Sequence, residues 1–171
     1  MGLDMYLSVR KYISRMDFSQ DYDKSEGYRD EPNFTSVIEA TDMKDFVEPE
    51  DSVGINVEVP VMYWRKANAI HKWFVDERAD GVDNCQPIGV HVDHLKELLE
   101  LCNEVLEEHS KAEELLPTED GFFFGGTEYD EWYFDGLEYT QRRLRELIPL
   151  MERKNEKGYH DNDWAVYQAS W

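Results

Sequence analysis

The chain has 171 residues, with 38 Asp and Glu against 18 Lys and Arg, a formal net charge of −20. Charge of that size repels nucleic acid and anionic membranes, and it directs attention to partners with a basic surface. At 41% hydrophobic and 13% aromatic residues the composition excludes a disordered chain, and the length predicts one domain, residues 1–171, burying roughly 70% of its extended surface.

Residues 1–7 lack a basic region followed by an apolar run, and Tyr6 stands where a myristoylation site has Ser or Thr. Neither a signal peptide nor an acyl anchor is therefore expected. Over residues 3–12, Leu3, Met5, Leu7 and Val9 alternate with Asp4, Tyr6, Ser8 and Arg10, the period of a half-buried strand. Residues 17–51 hold twelve acids against Lys24, Arg29 and Lys44. They are expected as a long acidic excursion within the domain, with a short strand over 34–39 and a helical turn after Thr41. Residues 54–61 predict a second strand, with Pro60 at its end, where a missing donor is tolerated.

Residues 62–77 contain no Gly or Pro and place Ala67, Ile70 and Phe74 on one face, which predicts a helix ended by Asp80-Gly81. A short strand follows over 88–92. Asp93 is the expected cap of a helix whose apolar stripe is Leu95, Leu98, Leu99, Cys102, Val105 and Leu106. That helix should run to about residue 110, with a further turn before Pro117. The glycine-flanked phenylalanines of residues 121–126 read as a short buried strand between tight turns. Thr127 and Asp130 form a capping box for a last helix over 128–153, and residues 164–171 close the chain as a strand. The fold class is α+β (or α/β): a single mixed sheet with about three helices packed on it.

Two candidate sites emerge. Glu97, Glu100, Glu104, Glu107 and Glu108 lie opposite the leucine stripe, repeating at about one helical turn, ~5.4 Å. Carboxylates in such a row resemble the phosphates of a nucleic-acid strand, and seven further acids with no base fall in residues 119–138. The plain alternative is a solvated helix face. The second candidate is a ligand pocket. Trp64, Asn68 and His71 are spaced four and three apart, with Arg65 and Lys72 flanking them. An aromatic platform, an amide, an imidazole and two cations suit an anionic or planar ligand, although Asn and His on a helix often serve nearby backbone groups.

No cofactor or metal site is expected. Among His71, Cys85, His91, His94 and Cys102 the only close pair is His91 and His94, short of the two tight pairs of structural zinc. A near match to a calcium loop at 76–87 has Arg78 and Pro87 where oxygen ligands belong. A Cys85–His71 nucleophilic pair stays open, since such partners meet only in the fold. No glycine-serine elbow or phosphate-binding loop is present, so no motif fixes a reaction. Two cysteines are too few for a secreted disulfide scaffold, which points to a reduced cytoplasm, and no stretch nears the ~18 apolar residues of a membrane span.

The segments MGLDMYL (1–7), YWRKANAIHKWF (63–74) and LLPTEDGFFFG (115–125) resemble a family of small uncharacterised proteins encoded by bacteriophages and prophages. The resemblance implies a phage setting and the cytoplasm of a bacterial host, and it brings no activity or catalytic residues. Charge and setting together favour an interaction protein whose acids block a host protein with a basic, nucleic-acid-handling surface, such as a defence nuclease. The alternative is a small-ligand-binding protein or enzyme using the pocket around Trp64, Asn68 and His71.

Overall fold

The computed structural model describes residues 2–16, 31–47, 54–153 and 164–171. Four strands, β1 (Asp4–Ser14), β2 (Gly54–Arg65), β3 (Ile88–His91) and β4 (Trp164–Ser170), form one sheet in the order β2-β1-β4-β3. Five helices accompany it: α1 (Pro32–Ala40), α2 (Asn68–Arg78), α3 (Val92–Glu107), α4 (Ala112–Leu115) and α5 (Glu131–Met151). The fold is α+β. The sheet is antiparallel rather than mixed, because β4 enters between β1 and β3 running against both. Five helices stand where about three are expected, the additions being α1 and the single turn α4. Among the described residues no helix is long and apolar enough to cross a membrane.

The described residues form two compact units, Met1–Val9 with Val59–Trp171, and Arg10–Glu58. In the larger unit the period-two pattern of β1 sets the register. Leu7 faces Tyr167, which faces Ile88, and Val9 faces Ala165, which faces Val90. Leu3, Met5, Leu7, Val90, Ala165 and Tyr167 are buried as a result. The helices close over this layer through Ile70, Phe74, Leu95, Leu98, Leu137 and Leu144, each worth about 1.5–3 kcal/mol when fully buried. Phe74 stacks on Tyr167 with ring centroids 4.0 Å apart. Cys102 belongs to this core, and burial pushes its thiol up to about 12, which removes it from chemistry at neutral pH.

In the smaller unit, residues 34–39 are helical, not a strand. Phe34, Val37 and Ile38 have helical spacing, Pro32 sits in the first turn, and the Glu31 carboxylate accepts the Phe34 N–H at 2.9 Å. A 3-10 turn at Lys44–Phe46 follows Thr41. The rest of the acidic excursion, 17–30 and 48–51, lies outside the described residues.

Three boundaries also move in the larger unit. Residues 62–65 complete β2, so α2 begins only at Asn68. Met62 and Trp64 are buried while Tyr63 and Arg65 are exposed, a strand alternation hidden inside a stretch without Gly or Pro. His91, rather than Asp93, caps α3: its ring accepts the Asp93 N–H while His94 returns a bond to the His91 N–H. Asp130 caps α5, accepting the Tyr133 N–H at 3.1 Å.

Candidate functional site

A groove of about 650 Å³ opens between the end of β2, the start of α2, the loop 117–130 and the first turns of α5. Trp64 and residues 67–70 line it from one side, Thr118, Gly125 and Gly126 from the loop, and Trp132, Tyr133, Gly136 and Tyr139 from α5. Arg65 and Lys66 stand on its border, as do Glu128, Asp130 and Asp135.

Each wall is held by hydrogen bonds. The Trp64 indole N–H donates to Thr140 Oγ1 at 2.8 Å, and the Thr140 hydroxyl donates to the Gly136 carbonyl at 2.7 Å. Asn68 pins the loop: its amide N–H donates to the Phe124 and Gly126 carbonyls at 3.3 and 2.7 Å, and its Oδ1 accepts the Glu119 N–H. Tyr133 donates to the Leu116 carbonyl at 2.8 Å, and burial raises its phenol, so the donor persists across physiological pH. Leu3 joins two sides of the site, donating to the Phe123 carbonyl and accepting the Lys66 N–H. At the lip, Tyr63 donates to Asp4 at 2.5 Å, and this bond, first among several causes, raises the Tyr63 phenol.

The segment 121–126 is a turn, not a buried strand. A Cβ on Gly121 would lie 2.7 Å from the Phe124 ring, and Gly125 takes φ 97, a left-handed conformation that favours glycine. Phe122 is 96% exposed, whereas Phe124 turns inward and meets His71 edge-on at 5.1 Å. The glycines are spent on folding the loop tightly enough to form a wall.

Of the five pocket residues suggested by the sequence, Trp64, Arg65 and Asn68 line the groove. His71 and Lys72 do not. His71 is 1% exposed and turns to the far side of α2, with Nδ1 2.7 Å from the Tyr167 hydroxyl and Nε2 3.1 Å from Asp83 Oδ2. The Asp83 carboxylate accepts, which places the ring proton on Nε2 facing it, and Nδ1 accepts from the Tyr167 hydroxyl, whose phenol burial raises well above its ordinary value. Cys85 borders the same region, but the void there measures about 10 Å³, scarcely room for one water. Lys72 binds Asp76 at 2.6 Å, and that hydrogen bond raises its pKa.

The four glutamates of α3, and Glu108 at its C-terminal cap, are all exposed. Glu97 accepts from Arg78 at 2.8 Å, and Lys111 lies 3.5 Å from Glu104 and 3.6 Å from Glu108. From the basic cluster of α5, Arg145 reaches α3 and donates to Asn103, Arg143 donates to the Val61 carbonyl, and Arg142 lies over the Tyr139 ring. Among the described residues, no three His, Cys, Asp or Glu side chains gather as a metal site.

Sequence reasoning passed over Lys66, Gly136 and the aromatic face of α5. A signal for them was present. Trp132, Gly136 and Tyr139 recur at helical spacing, and a glycine inside a helix costs about 1 kcal/mol against alanine unless space is needed there. No protein-family model, curated protein or solved structure matches the chain.

Proposed function

We propose that this chain is a small-ligand-binding protein that takes a planar ligand into the groove beside Trp64, Asn68 and Gly136. The observation that carries the reading is a preformed cavity of about 650 Å³ with aromatic walls tied in place by hydrogen bonds. Ligand sites typically enclose roughly 300–1,000 Å³ and pair apolar walls with a few placed polar groups. Trp132, 84% exposed at the border, is the kind of ring a planar ligand would cover.

The test is ligand-observed NMR with a library of small aromatic compounds. Gly136→Leu is the blocking variant, because a Cβ there meets nothing closer than the Ala67 Cβ at 3.9 Å and the longer side chain extends into the groove. Compounds that bind the parent should fail to bind Gly136→Leu while its melting temperature is retained. Absence of binders, or binders indifferent to Gly136→Leu and Trp132→Ala alike, would remove the reading.

A second reading is favoured by the exposure of Glu97, Glu100, Glu104 and Glu107 on α3 and of Glu108 at its cap: an acidic docking face for a host protein with a basic, nucleic-acid-handling surface. Reversing Glu100, Glu104 and Glu107 to Lys should abolish such binding with stability changed by within about 0.5 kcal/mol per site. The complex should also weaken steeply with salt, since exposed charges are screened over ~8 Å at physiological ionic strength. Capture indifferent to both would leave the acids as a solubilising surface.

A further inference from the structure

The groove is aromatic in its walls, and its border carries charge of both signs. Acids outnumber bases 38 to 18 in this chain, and Arg10, Lys72, Arg78, Lys96, Lys111 and Arg143 each hold a carboxylate within 4 Å. Arg65 and Lys66, adjacent on the lip, hold none among the described residues. Lys11, Lys44, Arg142, Arg145 and Arg153 also have no carboxylate within 4 Å among the described residues, but none of them lines the groove. Two neighbouring cations with no carboxylate among the described residues, in a strongly acidic protein and beside a cavity, are placed for an anion that arrives from solution.

Lys66 adds a separate observation. Its φ is 58, a left-handed conformation that glycine adopts freely and lysine does not. On backbone grounds glycine is the better residue here, so the lysine side chain is what the position retains. Its stem lies against Gly125, whose Cβ would come within 3.1 Å of the Lys66 Cβ, which seats the lysine on the rim.

The acids of the border differ. Asp130 is occupied in capping α5, but Glu128 and Asp135 have no hydrogen-bond partner among the described residues. Carboxylates repel a phosphate and accept hydrogen bonds from hydroxyl groups. Trp132 and Tyr139 line the same cavity.

Resting on the groove reading, we infer that the ligand is a nucleoside monophosphate. Its phosphate sits at Arg65 and Lys66, its base lies against the α5 aromatic face, and its ribose hydroxyls donate to Glu128 and Asp135. Aromatic faces stack on any base because every base has a π-face, and guanidinium meets phosphate in bidentate geometry. A net charge of −20 selects against polynucleotides and against added phosphates, since repulsion grows with each charge while only two cations answer it.

The full chain is titrated with AMP, GMP, CMP and UMP at physiological salt, following tryptophan fluorescence and heat, with the parent nucleosides and inorganic phosphate alongside. At least one monophosphate should bind roughly tenfold or more tightly than its nucleoside. Arg65→Gln and Lys66→Gly should each weaken the nucleotide by about tenfold and leave the nucleoside unchanged. Lys66→Gly should melt no lower than the parent, which separates lost contact from lost fold. A nucleoside that binds as well as its monophosphate, or nucleotide binding indifferent to Lys66→Gly, overturns the assignment. Neutral aromatic compounds that bind the parent and not Gly136→Leu, with no monophosphate binding, overturn the ligand class and keep the groove. Binding of neither class overturns both.

Discussion

Helices α2 and α3 lie in the same unit and bury similar apolar side chains, but they are built on different plans. α3 is one-sided: Leu95, Leu98, Cys102 and Val105 are buried while Glu97, Glu100, Glu104 and Glu107 face solvent. α2 buries seven of its eleven residues, and two of those, Asn68 and His71, are polar. A polar group inside must find a partner or cost stability. Asn68 finds its partners in the loop that walls the groove, and His71 finds Tyr167 and Asp83. The contrast teaches where to look for function: α3 buries only apolar side chains, with Glu97 and Asn103 bonding Arg78 and Arg145 outside that set, whereas α2 buries polar side chains that position other segments.

The largest effect should come from the apolar stripe. Leu98→Ala, at a position with no exposure, should cost about 2–5 kcal/mol in denaturant unfolding. Leu99, placed in the same stripe by its spacing, is only half-buried, so Leu99→Ala should cost clearly less. Equal losses at the two positions would contradict the one-sided plan of α3.

Asn68→Ala comes next, at about 1–3 kcal/mol, because two carbonyls and one N–H lose their partner together. Its signature is local. Hydrogen exchange should quicken in residues 117–127 before it does in the strands, and groove ligands should bind more weakly. If protection fell uniformly across the unit instead, Asn68 would be an ordinary core residue and the contrast with α3 would fail.

The smallest effect concerns His94 in the α3 cap. Partial burial lowers its pKa, and the charges of Arg78 and His91 act in the same direction. The unfolded imidazole titrates near 6.5. Below that pH the unfolded chain therefore takes up the proton first, so the contribution is complete above about 6.5 and is lost as pH falls toward the folded value. Protonation also removes the Nδ1 acceptor of the His91 N–H. His94→Gln keeps an acceptor in the capping box, so melts from about pH 7 to 5 should show a shallower decline than the parent's. An unchanged slope would remove His94 from the acid response.

The sequence also shows where local patterns mislead. Residues 34–39 read as a strand, yet Pro32 and the Glu31 cap start a helix. Residues 62–65 read as helix because no breaker interrupts them, yet pairing with β1 extends the strand to Arg65. The three phenylalanines of 122–124 read as buried, yet a tight turn sends Phe122 outward. In each case a contact outside the window, or the geometry of one turn, outweighed the residue preference.

By itself the sequence narrowed the class to α+β or α/β and determined the alternation of β1 and the amphipathic α3, because burial of one face leaves a period of two or of 3.6 in the chain. It also supplied Trp64, Arg65 and Asn68 as pocket residues. Only the tertiary structure decided that His71 turns away from them, that Lys66 stands at the lip and that α5 supplies the aromatic wall. The reason is distance along the chain. Asn68 bonds residues 51 to 58 positions away and His71 bonds one 96 away. Periodicity records which side of an element is apolar, and it carries no record of which distant carbonyl or hydroxyl a buried polar group will meet.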